Sequence, residues 1–298
     1  MTAKQKNRNF MIYEPKGKAR EYAPLALNLY LNCGHGCLYC YAPKTLRKDK
    51  ADYFAFNASP RDMFELEESI KRYANTTDKY VHISFVGDPY DKTRKDNSPT
   101  RRALELCLKH RVPVQILTKG GARCLIDLDL FKEFGKSIRI GQSLTFYDPI
   151  LSAFFEPFTA EPEERLETLD ALKKNGIPTW ASFEPVIDLS QSLTLLVDCL
   201  IYDLCDYYRI GAFSGTPQPP VDWEIFLDLA RLFINRHKAK AYFKQDLRDR
   251  APIASAELTK EQINMDACPV PAFDNKQDDD FKLPDQTQNN FCDCDGCQ

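Results

Sequence analysis

Strands and helices alternate along most of this chain, and that rhythm limits its fold more than any other feature. Residues 24–32, PLALNLYLN, put Leu25, Leu27, Leu29 and Leu31 on one face at a two-residue period, the mark of a strand. Further strand patterns follow at 80–88, 112–119, 137–145, 177–186 and 206–213. Helical patterns lie between them at 60–75, 98–110, 126–134, 162–175 and 190–204, and 220–237 is a long helix. Ser98 is expected to cap its helix with Pro99 at the first position, and Gly176 to end the 162–175 helix. A short last strand is expected near 240–246. Parallel strands need such crossover helices. Six βα units are too few for a closed eight-stranded barrel, so the expected fold is α/β, a partial (βα)6 TIM-like barrel.

Charge divides the chain into three parts. Residues 1–50 carry 10 Lys and Arg against 3 Asp and Glu; residues 251–298 carry 3 against 10. We therefore expect a basic segment at 1–21, the partial barrel at 22–248 and an irregular, acidic, Cys-containing extension at 249–298. The basic front can meet phosphate, or it can be a solvated surface. No apolar run approaches the roughly 20 residues of a membrane helix, and the N-terminus has no apolar stretch of a secretory signal, so a cytoplasmic protein without membrane contact is expected.

The 11 cysteines are unevenly placed. Cys107, Cys124, Cys199 and Cys205 sit in apolar periodic segments and read as core residues. Cys33-Gly-His-Gly-Cys37-Leu-Tyr-Cys40 is different: C-x3-C-x2-C on one short loop directly after a strand. Three thiolates can hold three irons of a cubane cluster and leave the fourth open. Gly34 and Gly36 let the loop wrap such a cluster. The alternative is a zinc knuckle with His35 or a remote residue as fourth ligand. In α/β barrels, loops after the strands carry the chemistry. At the other end, Cys292, Cys294 and Cys297, with Cys268 as a possible fourth ligand, either bind a second iron–sulfur cluster or are incidental thiols.

The motif CGHGCLYCYA, with an aromatic before the third cysteine and βα units after it, resembles the radical SAM superfamily. VGDPYDKTRK, VQILTKG, RIGQSLT, FEP followed by ERLETLDALKKNGIPTWASFEPVID, and YYRIGAF follow in the order found in its spore photoproduct lyase-like ("DNA repair photolyase") branch. The resemblance covers about residues 22 to 215. It implies a metal-binding enzyme of lyase or transferase type. A [4Fe-4S] cluster on Cys33, Cys37 and Cys40 would bind S-adenosyl-L-methionine (SAM) and cleave it reductively to a 5′-deoxyadenosyl radical. A reductant such as flavodoxin or ferredoxin is the implied partner.

The resemblance also assigns roles. Gly87 would allow close approach of SAM and Asp88 would accept its ammonium group; alternatively Asp88-Pro89 is a turn. Lys119 would pair with the SAM carboxylate, or is a rim lysine. Ser143 and Thr145 would face the ribose; they share one strand face and Gln142 takes the other. Glu184 would contact ligand, or pair with a base such as Arg209. Tyr39 and Tyr41 would relay a hydrogen atom, or pack over the cluster. Photoproduct lyases place a hydrogen-donating cysteine just after the second strand, and residues 85–90 hold none. The function expected first is a radical SAM enzyme acting on nucleic acid or a nucleotide. A peptide- or protein-modifying radical SAM enzyme with an auxiliary cluster is the second reading, and a non-catalytic iron–sulfur or zinc protein the third.

Overall fold

A computed structural model describes residues 11–57, 59–215 and 217–274. One sheet runs through the molecule in sequential order, β1 to β8. Its strands are β1 (Ile12–Tyr13), β2 (Leu25–Leu27), β3 (Val81–Ile83), β4 (Val114–Thr118), β5 (Ile138–Ser143), β6 (Thr179–Val186), β7 (Tyr207–Ala212) and β8 (Ala241–Phe243). β2 to β8 are parallel, and β1 pairs antiparallel with β2. No ladder joins β8 back to β1 or β2 among the described residues, so the barrel is open.

The helices are α1 (Ala42–Leu46), α2 (Lys50–Tyr53), α3 (Leu66–Lys71), α4 (Ser98–Lys109), α5 (Leu128–Phe134) and α6 (Pro149–Phe155). α7 (Pro162–Lys174), α8 (Leu189–Ile201), α9 (Trp223–Arg236), α10 (Gln245–Arg248), α11 (Pro252–Ser255) and α12 (Lys260–Ile263) are the other α-helices among the described residues. None of them is long and apolar enough to cross a membrane.

Side-chain alternation sorts each strand into a lumen face and a helix face. On β6, Ala181 and Phe183 join the outer core with α8 and α9, whereas Trp180 and Ser182 point the other way. On β4, Val114 and Ile116 pack outward and Gln115 reaches inward to Arg139 and His82. The lower lumen is thus filled by Tyr22, Trp180, Tyr207 and Tyr242, with the Arg139 and Arg209 guanidiniums against their rings. Cys107, Cys124, Cys199 and Cys205 lie buried in the two outer cores, as their apolar surroundings predict.

Gly141 makes room for the Trp180 indole, whose Nε1 donates to Ile116 O at 2.9 Å. A β-carbon there would overlap the ring. Gly141→Ala should therefore destabilise the fold by about 1–3 kcal/mol through overpacking. Urea unfolding measures this; a variant as stable as the parent would contradict the packing described.

Several local expectations change. The 60–75 helix shrinks to α3, because Arg61 N donates to Leu29 O and Asp62 turns the chain by accepting Phe64 N. Ser98 is the first residue of α4 rather than its cap; Asp96 accepts both its N–H and its hydroxyl. Helix α6 was not expected, although Asp148-Pro149 is a cap followed by a helix-starting proline. Residues 11–21, set apart in the sequence by charge, enter the sheet through β1 and bond Lys18 to Asp246.

The extension from 249 is more ordered than its composition predicts. Through residue 274 it carries α11 and α12 and lies across the bottom of the barrel. Val270 packs on Ala23 and Tyr80, Phe273 meets Phe134, and Arg20 grips Asp266 through two bonds. A few anchors hold it, which average polarity does not reveal.

Candidate active site

β2 ends early because Asn28 replaces the ladder with its side chain, accepting Phe85 N at 2.9 Å. The chain then swings into the cysteine loop, which is pinned from several sides. Cys33 N donates to Tyr53 O at 3.0 Å, Gly34 N to the Asp91 carboxylate at 2.7 Å, and Leu38 N to Phe155 O at 2.9 Å. Gly36 has φ +69°, and a β-carbon on it would lie 3.2 Å from the Phe158 ring.

His35 is an internal strut. It is buried, its Nε2 accepts Lys92 N at 3.1 Å, and its Nδ1 faces Asp88 at 3.5 Å. Burial lowers its pKa despite Asp88 and Asp91, so it is neutral at pH 7. With both nitrogens engaged it is not the fourth ligand of a zinc knuckle. Among the described residues, no three His, Cys, Asp or Glu side chains converge on one metal ion.

The three cysteines fit a cluster better. All are free thiols. Burial, then Asp91 and Asp88, pushes Cys33 well up; burial and Glu156 push Cys37 up to about 12; burial raises Cys40. Thiols whose pKa values are raised in this way need strong cationic charge to become thiolate, which bound iron would supply.

Beside this loop lies a network that the sequence reading did not assign. Glu156, at the end of α6, is fully buried and accepts from Tyr39 Oη, from Lys119 Nζ at 3.0 Å and from Arg165 Nη2 at 2.6 Å. Burial pushes its carboxyl up, but Arg165 and Lys119 outweigh it and hold it well below the usual carboxylate range. Arg165, from α7, also donates to Ser143 O and Ala160 O, which ties the end of β5 to α7. Glu156 and Arg165 fall in the FEP and ERLETL segments, so their positions were visible though their pairing was not.

Each expected site residue can now be placed. Tyr39 is half-buried between Glu156 and Thr145, while Tyr41 exposes its ring and donates to Phe85 O at 2.7 Å. Lys119 Nζ lies 3.3 Å from Thr145 Oγ1 as well as on Glu156. Tyr39, Lys119 and Thr145 therefore meet at one point beside Cys37, and Ser143 joins through its carbonyl. Gly87 permits close approach, but to this chain's own backbone: a β-carbon would lie 2.8 Å from Tyr30 O. Asp88 clasps the loop ends, accepting Thr118 Oγ1 at 2.5 Å, Lys119 N at 2.7 Å and Tyr90 N at 2.8 Å. These donors occupy most of its acceptor capacity.

Glu184 stands apart, in the upper lumen. It pairs with Lys244 at 2.6 Å and accepts from Tyr22 Oη. Arg209 is not its partner. Register places Arg209 level with Ser182 and Tyr242, one step below Glu184, whereas Lys244 follows β8 at the right height. Cys268 lies at the opposite end of the barrel, its carbonyl and sulfur on Arg139 at 3.1 and 3.4 Å. Arg139 is the second residue of β5 and Thr145 follows its end, so Cys268 sits roughly 20 Å of strand rise from the cysteine loop. Cys292, Cys294 and Cys297 lie outside the described residues.

Residues 27–188, more than half of the chain, match the Radical SAM superfamily. This chain belongs to the radical SAM superfamily. Members of that superfamily use SAM and a [4Fe-4S] cluster, on a fold of the observed kind. An uncharacterized protein of Methanocaldococcus jannaschii is 32% identical over 165 residues, covering 55% of this chain and 61% of that protein. An uncharacterized protein of Mycobacterium tuberculosis is 25% identical over 174 residues, covering 54% and 49%. The chain thus spans about half to three fifths of the curated relatives it matches. Spore photoproduct lyase complexed with dinucleoside spore photoproduct superposes with a TM-score of 0.57 at 14% identity, over 80% of this chain and 79% of that one. SuiB of Streptococcus suis bound to S-adenosylmethionine gives 0.54 at 17%, over 78% and 53%. At these identities the two structures support the shared fold.

Proposed function

We propose that this radical SAM protein holds a [4Fe-4S] cluster on Cys33, Cys37 and Cys40, cleaves SAM reductively there, and directs the radical to a nucleic acid or nucleotide. The carrying observation is the free three-thiol loop leaving β2 at the mouth of the open barrel. When bound and reduced, such a cluster would supply the electron for cleavage of the C5′–S bond of SAM.

The chain's own groups do the positioning. Lys119, fixed over Tyr39 and beside Thr145, offers a cation to a carboxylate close to Cys37. Glu156 holds that lysine in place and keeps the Tyr39 phenol oriented. Tyr22, Ser182, Glu184 and Lys244 present hydroxyls and a charge pair to whatever enters the lumen. The nucleic acid reading draws on the photoproduct lyase-like motifs, on the likeness to a lyase solved with a dinucleoside, and on the basic N-terminal region. Residues 85–90 lack a cysteine, so the reaction proposed is not repair of the spore photoproduct itself. The free thiols suit a reducing cytoplasm.

The test is anaerobic reconstitution with iron and sulfide, followed by SAM and dithionite. The expected product is 5′-deoxyadenosine, with about four irons bound per chain. A colourless zinc protein that leaves SAM intact would refute the proposal. Salt-dependent binding of DNA or RNA should accompany it; selective binding of a peptide instead would favour the peptide-modifying reading.

A further inference from the structure

Helix α2 starts on a local signal, with Asp49 as its cap accepting Ala51 N at 2.8 Å, and it ends on Tyr53. Tyr53 is 1% exposed, although Lys50, Ala51 and Asp52 before it all face solvent. Two contacts bind it to the cysteine loop. Its carbonyl accepts Cys33 N at 3.0 Å, and its ring packs with Ala42 and Val86 against Cys33 and Cys40. The hydroxyl then has two acceptors in reach, Val86 O at 3.3 Å and the Cys40 sulfur. The first is long for a bond between oxygens, where about 2.7–2.8 Å is usual, so turning the proton to sulfur costs little. Tyr53 falls between the segments CGHGCLYCYA and VGDPYDKTRK that carry the family resemblance.

The three sulfurs stand in different surroundings. Cys33 accepts from His35 N–H but lies against Asp91 and Asp88, and Glu156 is the charge that acts most on Cys37. Cys40 is reached by Ala42 N–H and by the Tyr53 hydroxyl, and its charged neighbours are the cations Lys119 and Lys50. A thiolate on iron keeps part of its negative charge, and reduction adds to it. A hydroxyl aimed at that sulfur therefore bonds the reduced form more strongly, because hydrogen bonds strengthen with charge on the acceptor. Hydrogen bonds to cysteine sulfurs are among the levers that set iron–sulfur potentials.

We infer that Tyr53 tunes the cluster: its hydroxyl donates to the Cys40 sulfur and raises the potential at which a [4Fe-4S] centre on this loop accepts an electron. The inference rests on the proposed cluster and adds a residue that sets its redox poise. Tyr53 acts through Cys40, which makes it a positioning residue rather than a catalytic one.

The test compares the parent with Tyr53→Phe, both reconstituted anaerobically with iron and sulfide. Phenylalanine keeps the ring packing and the carbonyl that holds Cys33 N, and deletes the hydroxyl alone. Iron should stay at about four per chain in both. In a redox titration followed by electron paramagnetic resonance, the ratio of reduced to oxidised cluster at a fixed solution potential should fall about tenfold in the variant, a downward shift of ~59 mV for one electron. Electron–nuclear double resonance of the reduced parent should show one exchangeable proton coupling that the variant lacks. Equal potentials, or the same exchangeable couplings in both proteins, would overturn the inference. So would loss of iron from Tyr53→Phe, which would make the hydroxyl a prop for the loop. If the parent itself assembles no cluster, the functional reading fails and this inference with it.

Discussion

Replacing Cys33 by Ala should empty the loop of iron and abolish formation of 5′-deoxyadenosine. A site-differentiated cluster has three protein ligands and none to spare. Nearby groups cannot substitute. His35 is engaged at both nitrogens by Lys92 N and Asp88, and Asp91 by Gly34 N and Thr93. The fold should survive, because the bonds that pin the loop use the backbone N–H groups of residues 33 and 34. Iron content should fall from about four per chain to well below one, with unchanged far-ultraviolet circular dichroism. Cys107→Ala and Cys199→Ala, which remove core thiols, should keep their iron. Full iron and turnover in Cys33→Ala would remove the loop from the mechanism.

Arg165→Met should destabilise the protein by about 3–5 kcal/mol, the usual cost of leaving a buried partner charge uncompensated. Arg165 and Glu156 are both buried and bonded at 2.6 Å, and Arg165 also satisfies the carbonyls of Ser143 and Ala160. Lys119 would then be Glu156's remaining cation. The sign of the pH dependence follows from the carboxyl, whose folded pKa is depressed. Its contribution is present above the unfolded carboxylate value of about 4.3 and is lost as pH falls below it. In Arg165→Met the folded value rises, so the stability gap between parent and variant should narrow below roughly pH 4.3. Urea unfolding at pH 7 and pH 3.5 tests this; a gap that is small at pH 7, or one that widens in acid, would show the ion pair to be unimportant.

Much of the framework is legible in the amino acids. Leu25, Leu27, Val114, Ile116 and Ile140 announce strands because apolar side chains recur at the period of a strand. The helix at 162–175 is visible from its proline start and glycine end, and α7 lies there. The expected 60–75 helix failed because Arg61 and Asp62 take bonds from outside the helix, and a moment-like pattern contains no record of them. Similarly, the extension was judged by its average polarity, while Val270 and Phe273 act singly.

The cysteine loop is the feature that sequence alone determined. Three thiols within one short segment stay neighbours however the rest of the chain folds, so the grouping of Cys33, Cys37 and Cys40 can be read from spacing. Tertiary structure decided who stands around them. Glu156 and Arg165 reach Tyr39 and Lys119 only because β4, β5 and α7 close over one another. Likewise, Lys244 rather than Arg209 neutralises Glu184, because strand register sets the height of each side chain in the lumen. Local spacing travels with the chain; long-range pairing depends on how strands align, and no short segment encodes that alignment.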